Sequence, residues 1–221
     1  MKIAQCWDDG VHDDIRVIEI LQRHGAKATF NLNAGKHHAR RVGHWKERFQ
    51  KEVQHLALPE LRSVYDGFLI ANHTFSHPRL TQLPLEAARE EIRTGKDALE
   101  QIFGYEITGF TYPFGDYNDA VEALVQEAGH LYARTTKTID RITPGERPMA
   151  FHPNCHFRLD DFWSRFEAVQ REDGVFYFWG HSYELCTEEQ WRTFDEQIRR
   201  LSQAGEWIDL PELFAPAAPQ G

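Results

Sequence analysis

Short runs rich in β-branched and aromatic residues alternate along this chain with longer stretches of helical period. That alternation is the signature of repeated βα units and a mostly parallel sheet. The pattern predicts strands over 2–7, 26–32, 67–72, 107–113, 130–136, 148–153 and 175–180, and "EWIDL" at 206–210 adds a short final one. Helices are expected over 13–24, 84–103, 118–128, 160–171 and 187–204, several closed by a glycine such as Gly25, Gly104, Gly129 or Gly205. Seven or eight such units close into an α/β barrel, with an open doubly wound sheet as the competing arrangement. In either, the site belongs at the carboxyl ends of the strands.

A length of 221 residues with 41% hydrophobic content suits one core, so residues 1–214 read as a single domain and "APAAPQG" at 215–221 as a disordered tail. Residues 34–66, rich in basic side chains and holding four histidines, interrupt the pattern. They read as a solvated helical insertion between the second and third strands, with a substrate-facing lid as the alternative. The net charge of −9 argues against a nucleic-acid partner. No long apolar run marks an export signal or a membrane contact, so the chain as written reads as cytoplasmic. Cys6, Cys155 and Cys186 are odd in number and widely spaced, and read as small buried apolar residues rather than a disulfide or zinc set.

The strand ends carry the chemistry-bearing residues. The first strand runs into "CWDDGVHDD", four carboxylates within seven positions. Asp13 and Asp14 precede the apolar positions Ile15, Ile18 and Leu21 and are expected to cap a helix. Asp8 and Asp9 come too early for capping, and two acids at an apolar mouth repel unless a cation separates their fates. Strand alternation points them to opposite faces, which suits one metal ligand and one base. "HTFSHP" after the third strand sets His73 and His77 four apart, a spacing that serves one metal ion. Two imidazoles and one carboxylate leave room for water, the layout of a catalytic zinc site; cobalt, nickel and iron also suit it. The fourth strand ends at Phe114 and Gly115, the seventh at His181, and "HPNCH" brings His152 and His156 after the sixth.

These residues resemble the NodB-type polysaccharide deacetylases of carbohydrate esterase family 4. "CWDDG" matches that family's first element at the acids and glycine, "HTFSHP" matches its histidine element fully, and "TYPFG" and "WGH" match two later elements. The resemblance implies the NodB homology fold, a distorted (β/α)7 TIM barrel, and a hydrolase that removes N- or O-acetyl groups from a carbohydrate. It implies Asp8 as general base, with Asp9, His73 and His77 on one divalent metal, zinc first. It gives the backbone N–H of Phe114 to the oxyanion, His181 to the leaving group and Trp179 to the acetyl methyl. The family's arginine before the proline is Thr111 here, and Arg134 is the candidate substitute. His152 or Asn154 and Asn33 are further candidate contacts, while His156 is placed outside the pocket and His12 reads as a turn residue. An insertion that narrows the mouth favours a small acetylated sugar or oligosaccharide. The rival readings are a hydrolase of cyclic amides or ureides on the same scaffold, and a sugar-binding relative without turnover.

Overall fold

The computed structural model describes residues 1–214. Its first strand, β1 (Lys2–Asp8), is buried at every position but the first, and apolar residues on both faces place it at the centre of the sheet. The chain continues through α1 (Asp14–Arg23), β2 (Thr29–Leu32), β3 (Val42–Lys46), β4 (Lys51–His55), α2 (Leu61–Val64) and β5 (Leu69–Asn72). It then forms α3 (Leu85–Phe103), β6 (Gly109–Thr111), α4 (Asp119–Glu127), β7 (Tyr132–Arg134) and β8 (Cys155–His156), and ends in α5 (Phe162–Arg171), β9 (Val175–Gly180), α6 (Glu188–Ala204) and β10 (Glu206–Trp207). Seven strands pair in the order β7-β6-β5-β2-β1-β9-β8, all parallel, and β10 joins beside the first half of β1. This is the seven-unit α/β architecture that the alternation predicts.

The helices close over the outer face of the sheet. Phe166, Trp191 and Phe194 pack with Trp7, Phe157 and Phe178 in the largest core cluster, so the helix aromatics serve packing. The sixth strand differs from the expected 148–153. Pro148–Ala150 forms a 3-10 turn, Phe151 makes one bridge to Arg134, and the ladder with β9 lies at Cys155–His156. Pro148 and Pro153 interrupt the run, and proline cannot donate to a ladder.

The insertion is also different from the expected helical excursion. Its centre is an antiparallel hairpin, β3 with β4, followed by one short turn of helix at α2. Val53 anchors the hairpin against Val11 and Tyr183. The acids expected to cap α1 do other things. Asp13 occupies the N-cap without a side-chain cap bond and pairs with Lys51 at 2.6 Å. Asp14 is fully buried, accepting from the Val11 amide, the Tyr65 hydroxyl and the Ser182 hydroxyl, and so ties α1 to α2 and to the turn after β9. Burial pushes its carboxyl up to about 7. Cys6 and Cys155 are buried as expected, whereas Cys186 is exposed. The expected tail at 215–221 lies outside the described residues. No helix among them is long and apolar enough to cross a membrane.

Candidate active site

Asp8 is the last residue of β1, and its side chain is held by one residue of the adjacent β2 and one of β7, at the end of the sheet order. Asn31, its register partner in β2, donates to Oδ1 at 2.6 Å, and the Arg134 guanidinium donates to Oδ2. Both charged side chains are 3% exposed or less, so this is a buried ion pair. Burial opposes charge on Asp8, and Arg134, His73 and His181 outweigh it, holding the carboxyl below its ordinary range. Arg134 stands opposite Thr111 in the parallel ladder between β6 and β7, so the guanidinium that reaches Asp8 comes from the strand beside Thr111. Its carbon lies 4.6 Å from the Trp179 ring centre, a cation–π contact that also walls off the pair.

Strand alternation sends Asp8 and Asp9 to opposite faces, but the strand stops between them. Asp9 takes a left-handed backbone with φ of 83°, which turns its carboxylate back to the same mouth. Gly10 follows with φ of 66°, and a Cβ there would meet the His37 ring at 2.7 Å, so the turn needs glycine. Thr74, His77 and Phe114 share this backbone region. Four of the seven non-glycine residues with positive φ among the described residues thus crowd three strand ends, and such strain gathers where function over-determines the backbone.

His73 and His77 lie on the loop after β5. The Thr111 carbonyl accepts from His73 Nδ1 at 2.8 Å, which fixes the tautomer and leaves Nε2 free. Nε2 of His73 and of His77 stand 3.8 and 3.6 Å from Asp9 Oδ1. The other oxygen, Oδ2, accepts from the Tyr183 hydroxyl at 3.1 Å and lies 3.9 Å from Lys46 Nζ. Burial lowers both histidines, His77 to about 4, so the imidazoles are neutral donors. Burial opposes charge on Asp9 as well, but His181, His77, His73 and Lys46 outweigh it and keep the carboxylate ionised. Three ligand atoms within 4.8 Å of one another, two neutral nitrogens and one anionic oxygen, fit a divalent metal.

His181, just after β9, completes the ring. Its Nε2 is 3.9 Å from Asp8 and 4.0 Å from Asp9, and its Nδ1 meets Glu184 Oε1 at 2.9 Å. Burial lowers the imidazole, yet the Glu184 bond and the two aspartates raise it above its ordinary value, which favours the protonated form. Glu184 is missing from the sequence reading; its signal is an acid three positions after a strand-end histidine in "HSYE". His156, expected outside, belongs to the rim: its Nε2 is 3.4 Å from Glu184, and its ring lies 4.7 Å from Trp179. The displaced sixth strand carries it there. His152 moves the other way, bonded to Thr135 at 2.6 Å and lining a separate hollow with Ile139 and Phe151. Asn154 is buried under β9, where it accepts from the Tyr177 amide. Asn33 donates to the His73 carbonyl and borders the mouth, whereas His12 is exposed in its turn. The Phe114 ring packs 4.6 Å from His77.

The hairpin brings residues that the sequence reading left in solvent. Lys36, His44, Lys46 and His55 line an open cavity of about 230 Å³ with Asp9, His77 and Phe114. His55 Nδ1 donates to the Asp9 carbonyl at 3.0 Å, so the insertion also supports the strained turn.

Comparison with known proteins follows the same geometry. Residues 1–133 match the family described as polysaccharide deacetylase. The chain is 27% identical over 126 residues to a peptidoglycan-N-acetylmuramic acid deacetylase of Bacillus subtilis, and 31% identical over 126 residues to a chitooligosaccharide deacetylase of Azorhizobium caulinodans. Each match covers 56% of this chain but 24% and 52% of the relative, so the chain spans about a quarter to a half of their length. Among solved structures it superposes on a family 4 carbohydrate esterase from Streptomyces lividans with a TM-score of 0.61 at 16% identity, covering 99% of this chain and 98% of that one, which shows the shared fold. This chain belongs to the polysaccharide deacetylase family, the NodB-type group of carbohydrate esterase family 4.

Proposed function

We propose that the chain hydrolyses an N- or O-linked acetyl group on a carbohydrate, with Asp8 as general base and His181 as general acid. Asp9, His73 and His77 hold a divalent metal in this reading, zinc first, with cobalt, nickel or iron acceptable to the same donors. The chemistry such an ion supplies when bound is Lewis acidity toward an acyl oxygen and a lower pKa for water. Asp8, ionised by its pairing with Arg134, takes the proton from the attacking water. Water adds to the acyl carbon, and the backbone N–H of Phe114 stabilises the oxyanion. His181, held by Glu184, gives its proton to the departing nitrogen or oxygen as the acyl bond breaks, leaving acetate and an amine or alcohol. Trp179 packs against the acetyl methyl from the side of Arg134.

The observation that carries this reading is the convergence at one mouth of three chemically distinct groups. An arginine-paired carboxylate and a donor set of two neutral nitrogens with one anionic oxygen each come within about 4 Å of a carboxylate-tethered imidazole. A binder without turnover has no physical use for a base and an acid beside a metal set. Asp8→Asn tests the assignment. It is expected to keep metal and lower acetate release by more than about a hundredfold, and a normal rate would remove Asp8 as base.

A further inference from the structure

The insertion hairpin gives one wall of the site a charge opposite to that of the molecule. Residues 34–66 hold seven lysines and arginines against four carboxylates, whereas the whole chain holds 25 against 34. The pleat of β3 turns His44 and Lys46 to the cavity and leaves Trp45, between them, 55% exposed on the outer face. Lys36 enters the same cavity from the turn after β2, and Arg79 stands at its edge, its guanidinium 4.2 Å from the Phe114 ring centre. The single carboxylate among the lining residues is Asp9, whose Oδ1 faces the two histidines. Lys46 lies against the Tyr183 ring at 3.7 Å, and its ion pair with Asp9 is a long 3.9 Å.

A neutral acetylated sugar offers these ammonium groups nothing to pair with. A carboxylate does, and a charge-assisted bond gains strength where the ammonium is partly withdrawn from water beside an aromatic ring. A chain of net charge −9 repels an anionic substrate at long range, and a local cationic wall reverses that field at the mouth. We infer that Lys36 and Lys46 form a subsite for an anionic substituent, and that the substrate is an acetylated sugar carrying a carboxylate near its acetyl group. The inference rests on the deacetylase reading above and assigns the hairpin the role of setting substrate preference.

The test compares two N-acetylated probes of equal length: a hyaluronan tetrasaccharide, which carries carboxylates, and neutral chitotetraose. The unaltered protein is expected to favour the carboxylated probe through KM, with a preference that fades as salt is added. Lys36→Met and Lys46→Met are each expected to lower the ratio of kcat/KM for carboxylated over neutral probe by about tenfold, with Lys→Arg at either position restoring most of it. Calorimetric titration of the chelator-treated protein with both probes reads the subsite without turnover. Tighter binding of the carboxylated probe, lost in the Met variants, keeps the subsite even if neither probe releases acetate, in which case the deacetylase reading fails instead. Equal affinity for both probes, or a ratio unmoved by either Met substitution, overturns the subsite.

Discussion

The site has a floor and a wall, and the two are built on opposite principles. The floor is the ring of strand ends, where Asp8, His73 and Arg134 are each 2% exposed or less and each is held by a residue of another strand. The wall is the β3–β4 hairpin, whose first strand is exposed over four of its five residues and which is tied down by Val53 packed under Val11 and Tyr183, by Lys51 on Asp13 and by His55 on the Asp9 carbonyl. Groups that must meet a reacting atom within tenths of an ångström sit on the rigid part, and groups that choose among substrates sit on an inserted hairpin that touches the floor at the Asp9 turn. Floor substitutions should therefore act on kcat and metal content, and wall substitutions on KM and preference.

The sharpest way to break this division is at the metal set. Asp9→Ala and His77→Ala are expected to lose bound metal and at least about a thousandfold in activity, read by elemental analysis and acetate release. Retained metal in either variant would move the ligand set elsewhere. Next comes Arg134→Ala, which strands a buried carboxylate and should cost about 3–5 kcal/mol of stability together with most of kcat. Because unfolding alone could lower the rate, Arg134→Lys is the decisive partner. It keeps a charge near Asp8 and is expected to fold, with kcat reduced about tenfold and KM unchanged. Glu184→Gln should slow natural leaving groups by about tenfold while sparing activated aryl acetates, whose departure needs no proton. An equal loss on both classes would make Glu184 structural. The smallest effect belongs to the outer face of the wall: Trp45→Ala should stay within about 0.5 kcal/mol in stability and leave the substrate ratio alone.

The floor was readable from sequence because strand ends concentrate chemistry and because the parallel pattern says where those ends lie. Asp8, Asp9, His73, His77 and His181 each follow a strand pattern directly, and the structure brings all five to one mouth. The wall was not readable. "VGHWK" and "KEVQH" bury one residue, Val53, so no alternating apolar pattern marks them as strands. Asp14 looked like a cap because local sequence cannot report Tyr65 and Ser182, which arrive 51 and 168 residues later. The alternation rule also misled at Asp9, where one left-handed residue ends the strand and cancels it. His152 and His156 exchanged roles because the sixth strand pairs with β9 at Cys155–His156, two positions beyond the expected run.

Asp14 gives a measurable pH signature for that buried tie. Its folded-state carboxyl sits near 7 against an ordinary 3.8, so the folded protein holds this proton more tightly than the unfolded chain. Stability from this group is full below about pH 4 and is lost as pH rises toward 7. Asp14→Asn should flatten that part of the profile in denaturant titrations, and an unchanged slope would show that Asp14 is ionised in the fold.

The most direct test of the central claim pairs metal analysis of the purified protein with acetate release from N-acetylated oligosaccharides before and after chelation. The account predicts about one equivalent of a divalent metal, activity lost on chelation and restored on adding the metal back. Acetate release that persists at full rate in the metal-free protein, or none from either probe with metal supplied, would contradict it.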